Sequence, residues 1–212
     1  MAAVVPDNSD SRSLLIVIAG PSGAGKTTLC DMLLAERTGM AYSVSCTTRS
    51  PRGEEQHGRD YFFISAEEFE MKVRKGEFLE YANVHGHWYG TLRRTVIDAL
   101  QESRDIVMDI DVEGARQMRN KVMDAEDNDP IRAAYVDVFV RPGTMQTLEE
   151  RLRVRNEDSD DTIVTRMINA RKELEHESEF SRVIINDDLQ FAYDGLLEYI
   201  LEQKRGTSDD DE

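Results

Sequence analysis

Short wholly apolar runs alternate along this chain with longer stretches in which apolar residues return every third or fourth position. Leu14 to Ala19 is the first run, six apolar residues in a row, and predicts a buried strand. From Lys26 to about Glu36 the spacing of Leu29, Cys30, Met32, Leu33 and Leu34 predicts a helix. Tyr42 to Val44 starts a second strand. The rhythm resumes with a helix from Leu92 to about Glu102. A strand over Ile106-Val107-Met108 then runs out at Asp109 and Asp111, and a helix continues through Met118. Tyr135 to Val140 predicts a strand closed by Pro142-Gly143, followed by helices from Met145 to about Val154 and from about Thr162 to Phe180. Val183-Ile184-Ile185 is the last strand and Leu189 to Lys204 the last helix. Strands that alternate with helices imply an α/β fold, a parallel sheet with helices on both faces. Ligands of such sheets gather at the carboxyl ends of the strands.

Between Tyr61 and Thr91 the texture changes. Tyr61-Phe62-Phe63-Ile64 predicts a strand. Ser65-Ala66-Glu67-Glu68 is a capping box that starts a helix over Phe69, Met71, Lys72 and Val73 and stops at Gly76. Phe78 to Val84 and His87 to Tyr89 alternate as strands about His85-Gly86. A small mixed unit is therefore inserted in the βα rhythm. Met1 to Ser13 is polar and expected to be mobile. Asp124 to Asp129 reads as a solvated acidic loop, and residues 205–212, ending Asp209-Asp210-Asp211-Glu212, as a disordered acidic tail.

The 212 residues suit one domain, or one α/β core with an inserted subdomain. Lys and Arg number 26 against 42 Asp and Glu, a formal charge of −16. Such a chain is repelled by nucleic-acid backbones and anionic membranes, so neither is an expected partner. Arg49, Arg52, Arg151, Arg155 and Arg166 then form a local positive site suited to a small phosphorylated molecule. Two cysteines make no disulfide framework, and Cys30 is expected to be a buried thiol. No cluster has zinc spacing: His85 and His87 read as turn residues, His57 and His176 as exposed ones. There is no secretory signal pattern, Ala2 excludes an N-myristoylation motif, and no apolar run has membrane-spanning length. The expectation is a soluble cytoplasmic protein.

Two segments carry chemistry. Gly20-Pro21-Ser22-Gly23-Ala24-Gly25-Lys26-Thr27 follows the first strand and opens into the first helix, the context that a G-x-x-x-x-G-K-[ST] sequence requires. The glycines let several backbone N–H groups turn inward, and the helix N-terminus adds its positive dipole end. Lys26 supplies a cation for the β- and γ-phosphates of a nucleoside triphosphate, and the Thr27 hydroxyl can ligate Mg2+. The second segment, Ser45 to Phe63, sets Arg49 and Arg52 three apart among hydroxyls, carboxylates and Tyr61. Arginine clamps phosphate through charge-assisted bonds, and a carboxylate accepts from an N–H edge such as N1 and the 2-amino group of guanine. The simpler alternative is a solvated loop with incidental arginines. Asp109 and Asp111 likewise fit either a Walker-B-like place near Mg2+, through water, or plain capping of the next helix.

The order of these motifs resembles the guanylate kinases. After the P-loop come Thr47-Thr48-Arg49-Ser50-Pro51-Arg52, a Glu55…Gly58…Tyr61-Phe62-Phe63 stretch, Phe78-Leu79-Glu80-Tyr81, Tyr89-Gly90-Thr91 and Asp109-Ile110-Asp111. Arg151 to Asn156, Arg166 and Val183 to Asp188 complete the match, which runs from about Leu14 to about Lys204. The resemblance implies a P-loop nucleoside monophosphate kinase fold. Its core would be residues 14–44 and 92–204, its GMP-binding subdomain about 45–91, and its helical lid about 151–166. It implies phosphorylation of GMP by ATP with Mg2+, in a monomer or small homo-oligomer. Gly20, Pro21, Ser22, Gly23, Ala24, Gly25, Lys26, Thr27 and Thr28 would hold ATP and Mg2+, with Asn186 and Asp187 on the adenine side. Arg49, Arg52, Tyr61 and Tyr89 would hold the acceptor phosphate, and Lys26, Arg52, Arg155 and Arg166 would serve the transfer. Ser45, Glu55, Thr91 and Asp109 would read the purine, with Glu80 nearby. The family usually reads TTRxPRxGE, whereas here Gly53-Glu54 comes one place early; a gap-free count makes Glu55 the guanine-reading carboxylate. The competing expectation is a non-catalytic guanylate-kinase-like interaction module. Such modules typically have degraded P-loops, whereas Lys26 and Thr27 are present here.

Overall fold

A computed structural model describes residues 12–84, 86–154 and 159–205. In chain order its elements are β1 (Leu15–Ala19), α1 (Lys26–Glu36), β2 (Met40–Tyr42), β3 (Cys46–Thr47), β4 (Phe62–Phe63), α2 (Ala66–Arg74), β5 (Phe78–Val84) and β6 (His87–Leu92). Then come α3 (Arg93–Gln101), β7 (Asp105–Asp109), α4 (Val112–Met123), α5 (Pro130–Ala134), β8 (Tyr135–Arg141), α6 (Met145–Val154), α7 (Asp160–Leu174), β9 (Arg182–Ile185) and α8 (Leu189–Arg205).

Five strands form a parallel sheet in the order β2-β7-β1-β8-β9. β1 lies in the middle and all five of its residues are buried, the outcome expected of an apolar run covered on both faces. Its side chains divide by pleat. Leu14, Ile16 and Ile18 join Leu29, Cys30 and Leu33 of α1 and Tyr193, Leu196 and Ile200 of α8. Leu15, Val17 and Ala19 face the other way, onto Val96 of α3, Ala115 and Met118 of α4 and Ile131 of α5. A second sheet, β4-β3-β6-β5, is mixed: β3 and β4 are parallel, while β6 is antiparallel to both β3 and β5. It has its own core of Cys46, Phe69 and Phe78, the two rings stacked with centroids 4.4 Å apart. The capping box expected at Ser65 is formed at its first bond, the Ser65 hydroxyl accepting from the Glu68 N–H at 3.1 Å.

Five local expectations are corrected. The second strand lies at Met40–Tyr42 rather than Tyr42–Val44. The chain leaves the parallel sheet at Ser43, whose N–H still donates to the Val107 carbonyl, because Cys46 and Thr47 belong to the other sheet. α4 continues five residues beyond Met118, since Val122 extends its buried stripe. α7 ends at Leu174, and a 3-10 turn at Glu177–Glu179 lets Phe180 turn inward against Phe139. The acidic 124–129 stretch is not wholly solvated: the Asp129 side chain caps α5 through the Ile131 N–H and pairs with Arg93. His176, expected at the surface, is half-buried with its ring 2.7 Å from Glu179. The expected tails at 1–13 and 205–212 fall almost entirely outside the described residues, as does His85.

Candidate active site

The turn after β1 is held open for a ligand by its glycines. Gly20 and Gly25 have φ of 136° and 94°, a region that side chains rarely enter. A Cβ on Gly20 would stand 2.0 Å from the Val140 carbonyl oxygen, and one on Gly25 2.3 Å from Asn186 Nδ2. Gly25 is also the N-cap residue of α1, so the first N–H groups of that helix face the turn. Gly23, Ser22 and Thr28 line the resulting cavity of about 200 Å3, together with Lys26, Thr27, Asp111 and Glu173. The Lys26 ammonium donates to the carbonyls of Gly20, at 2.6 Å, and Pro21, at 3.1 Å. Burial lowers its pKa, and the carboxylates of Asp109, Glu173 and Asp111 oppose that shift.

At the end of β9, Asn186 is buried and donates from Nδ2 to the Ala24 carbonyl at 2.8 Å, bracing the turn from below. Its Oδ1 is buried without a hydrogen-bond partner among the described residues. The next carboxylate, Asp187, accepts from the Gly143 N–H at 2.7 Å ahead of α6.

A second cavity, also about 200 Å3, opens where the two sheets approach. Ser45, Tyr61, Glu80, Tyr89 and Asp109 line it, along with Tyr42 and Asp111. Arg49 is buried beside it. Its Nε donates to the Tyr89 hydroxyl at 3.2 Å, and its guanidinium lies 5.3 Å from the Tyr61 ring centre and 5.8 Å from that of Phe63. The other guanidinium edge meets Glu55 in a two-pronged ion pair at 2.8 and 2.9 Å. Glu55 also accepts from the Arg52 N–H at 2.7 Å. The Arg49 bonds, then that of Arg52, hold the Glu55 pKa down to about 2. Glu80 sits differently: it is buried, and Thr91 Oγ1 donates to its Oε1 at 2.6 Å. Burial raises its pKa and the Thr91 bond partly offsets the rise.

Asp109 stands between the cavities at the carboxyl end of β7. Its Oδ2 accepts from the Thr27 hydroxyl at 2.8 Å and its Oδ1 from the Tyr42 hydroxyl at 2.5 Å. Burial, then the Asp109 charge, pushes the Tyr42 phenol far above its ordinary value, so it stays a donor. Asp111 caps α4 by accepting from the Gly114 N–H at 2.7 Å, and it lines both cavities.

The guanylate kinase family model matches residues 12–203 of the chain. The chain belongs to the guanylate kinase family. It is 45% identical over 190 residues to a guanylate kinase of Fusobacterium nucleatum subsp. nucleatum, covering 90% of this chain and 97% of that one. With a guanylate kinase of Nitratidesulfovibrio vulgaris it shares 44% identity over 194 residues, covering 92% and 89%. The crystal structure of guanylate kinase from Anaplasma phagocytophilum superposes with a TM-score of 0.69 at 27% identity, covering 93% of this chain and 89% of that chain. The parallel sheet with helices on both faces is thus the P-loop nucleoside monophosphate kinase fold.

Within this guanylate kinase fold, most of the residues singled out in the sequence come together at the two cavities. Glu55 is an exception: both of its oxygens serve Arg49 and Arg52, and it does not line the acceptor cavity. Glu54 is exposed, and neither carboxylate of that step lines the cavity that Glu80 lines; Thr91 is fully buried and does not line it either, its hydroxyl donating to Glu80. The Arg52 side chain is exposed and Arg166 half-buried on α7. Arg155 lies outside the described residues. Tyr42 and Glu173 were not legible in the sequence. Tyr42 ends a three-residue strand, and the carboxyl end of a strand in a parallel sheet was the available signal. Glu173 carried no signal, as one of several acidic residues on a charged helix.

Proposed function

We infer that this chain transfers the γ-phosphoryl group of ATP to GMP, giving ADP and GDP. The observation that carries this reading is the junction of the cavities. A phosphate cradle and a purine-sized acceptor pocket share Asp111, and Asp109 touches a residue of each. Phosphoryl transfer asks for in-line positioning, water exclusion and cations around the moving group. The turn N–H groups and Lys26 would bind the ATP phosphates, with Lys26 leaving its own carbonyls for them. Arg49, Tyr61 and Tyr89 would bind the acceptor phosphate with Arg52 at the rim, and Glu55 would keep Arg49 extended. Arg166 and Arg155 are the cations we assign to the transferring group, and 151–166 the lid that carries them.

Guanine presents N1–H and a 2-amino group side by side. An ionised carboxylate can accept both, and of the carboxylates lining the pocket we assign Glu80 to that task, with Thr91 fixing its rotamer. Ser45 offers a hydroxyl to the same base. Mg2+ fits the residues present as an ion that arrives with its nucleotide. Thr27 and the carboxylates Asp109 and Asp111 stand at the cradle, and the described residues hold no cluster of three or more His, Cys, Asp or Glu able to hold a metal ion by themselves. Such a site leaves Mg2+ to take phosphate oxygens and water. When bound it supplies charge neutralisation to the phosphates. No described helix is long and apolar enough to cross a membrane. The reading is tested by ADP release with AMP, GMP, CMP, UMP and dGMP as acceptors. Guanine nucleotides should be far the best, and equal rates with AMP would overturn it.

A further inference from the structure

Tyr42 stands outside the P-loop and outside the arginine-bearing loop, yet its hydroxyl is tied into the contact between the two cavities. Its position follows from register. β2 and β7 are parallel neighbours with Tyr42 opposite Val107, so the two side chains share a face. Asp109 lies two residues beyond Val107 and therefore on that face too. Val107 packs there with Leu29 and Cys30 of α1, the helix that Lys26 and Thr27 begin. Three short elements thus place a phenol, a carboxylate and a hydroxyl in line. The Tyr42 hydroxyl donates to one Asp109 oxygen at 2.5 Å, and the Thr27 hydroxyl donates to the other at 2.8 Å.

The direction of these bonds matters. A hydroxyl that gives its hydrogen to a carboxylate turns its lone pairs the opposite way. Thr27 lines the phosphate cradle, so those lone pairs are available to a cation there. Asp109 can hold Thr27 in that orientation only if its own plane is fixed, and the second oxygen is where it is fixed. We propose that Tyr42 is a positioning residue for the metal–nucleotide side of the site, acting through Asp109 on the Thr27 hydroxyl. Although Tyr42 forms part of the acceptor cavity wall, its polar atom serves the donor side. Asp109 is then committed to Thr27, and base recognition is left to Glu80, held by Thr91, and to Ser45.

The inference rests on the P-loop being the ATP–Mg2+ site, and calorimetry separates the two. Binding of a non-hydrolysable ATP analogue is measured with Mg2+ and in EDTA, and GMP binding is measured alone. The proteins are wild type, Tyr42→Phe, Asp109→Ala and the double variant. Groups that orient metal ligands typically change metal affinity about 10- to 100-fold, and Tyr42 stands one step further out. Tyr42→Phe should weaken analogue binding roughly fivefold with Mg2+, on the scale of one hydrogen bond. Binding in EDTA and GMP binding should change by less than about twofold, well under one hydrogen bond. On the Asp109→Ala background Tyr42→Phe should cost nothing more, because the residue it acts through is gone. Comparison with and without metal is internal to each variant, so a general loss of stability cannot mimic it. Equal losses in both conditions, a loss confined to GMP, additive costs in the double variant or unchanged binding would each overturn the proposal. A wild type that binds the analogue no better with Mg2+ than without it would overturn the reading of the P-loop and this proposal together.

Discussion

Lys26 shows how a single residue can be read twice. Its ammonium is folded back onto the carbonyls of its own turn. Burial lowers its pKa, and three nearby carboxylates oppose that shift. Lys26→Ala removes a cation from the transferring phosphates, so turnover should fall by about 10²- to 10³-fold. The melting temperature should move by no more than a few degrees, as checked by a coupled assay and a thermal scan on one preparation. Glu55 and Glu80 separate two roles that the sequence ran together. Glu55→Gln should raise KM for GMP by loosening Arg49, with the preference for GMP over AMP retained. Glu80→Gln should lose most of that preference, on the order of 10² or more, because a site built for specific donors discriminates through its unpaired groups. Comparing kcat/KM for the two nucleotides in both variants decides the assignment. A pH profile adds an independent check. Glu80 is held above its ordinary pKa by burial, so it keeps its proton to higher pH and offers one acceptor fewer below that point. The acid limb of kcat/KM for GMP should therefore lie above the ordinary carboxylate value of about 4.3 and be missing from Glu80→Gln.

At the scale of elements, patterning carried far where an element has one buried face and little elsewhere to go. β1 follows from an unbroken apolar run covered on both faces, and α1, α6 and α8 from apolar spacing that lies against one core each. β2 was misplaced because residues 40–47 serve two sheets in turn, and alternation cannot show where the chain leaves one for the other. α7 was drawn too long because its helical periodicity runs into Phe180, whose burial is decided by Phe139 across the sheet. The place of Glu55 outside the acceptor cavity was hidden for a similar reason. Counting along the loop locates Glu55, but only the packing of the second sheet shows that Glu80 faces the cavity. The last turn of α8 carries another contact that spacing could not show. Lys204 and Asp105 form a buried ion pair at 2.7 Å, and Asp105 also accepts from the Leu14 N–H at 3.0 Å. Lys204→Met leaves that carboxylate buried with one donor and should cost about 3–5 kcal/mol in urea unfolding. Replacing both partners, Asp105→Asn with Lys204→Met, should recover most of the loss.

Across the whole molecule, a strongly acidic chain sets Lys26 in one small cavity and buried Arg49 beside a second, with Asp111 lining both. ATP bound in an open cradle is exposed to water, so transfer to GMP rather than hydrolysis requires closure. Small-angle scattering should therefore show a smaller radius of gyration with a bisubstrate analogue than without one, and an unchanged radius would count against closure. The most direct test follows phosphorus itself. A mixture of the protein, ATP, GMP and Mg2+ is watched by 31P magnetic resonance. Transfer to GMP predicts that GDP and ADP signals grow together, with little inorganic phosphate and little change when GMP is left out. Inorganic phosphate that accumulates in place of GDP, or ADP formed at the same rate without GMP, would contradict it.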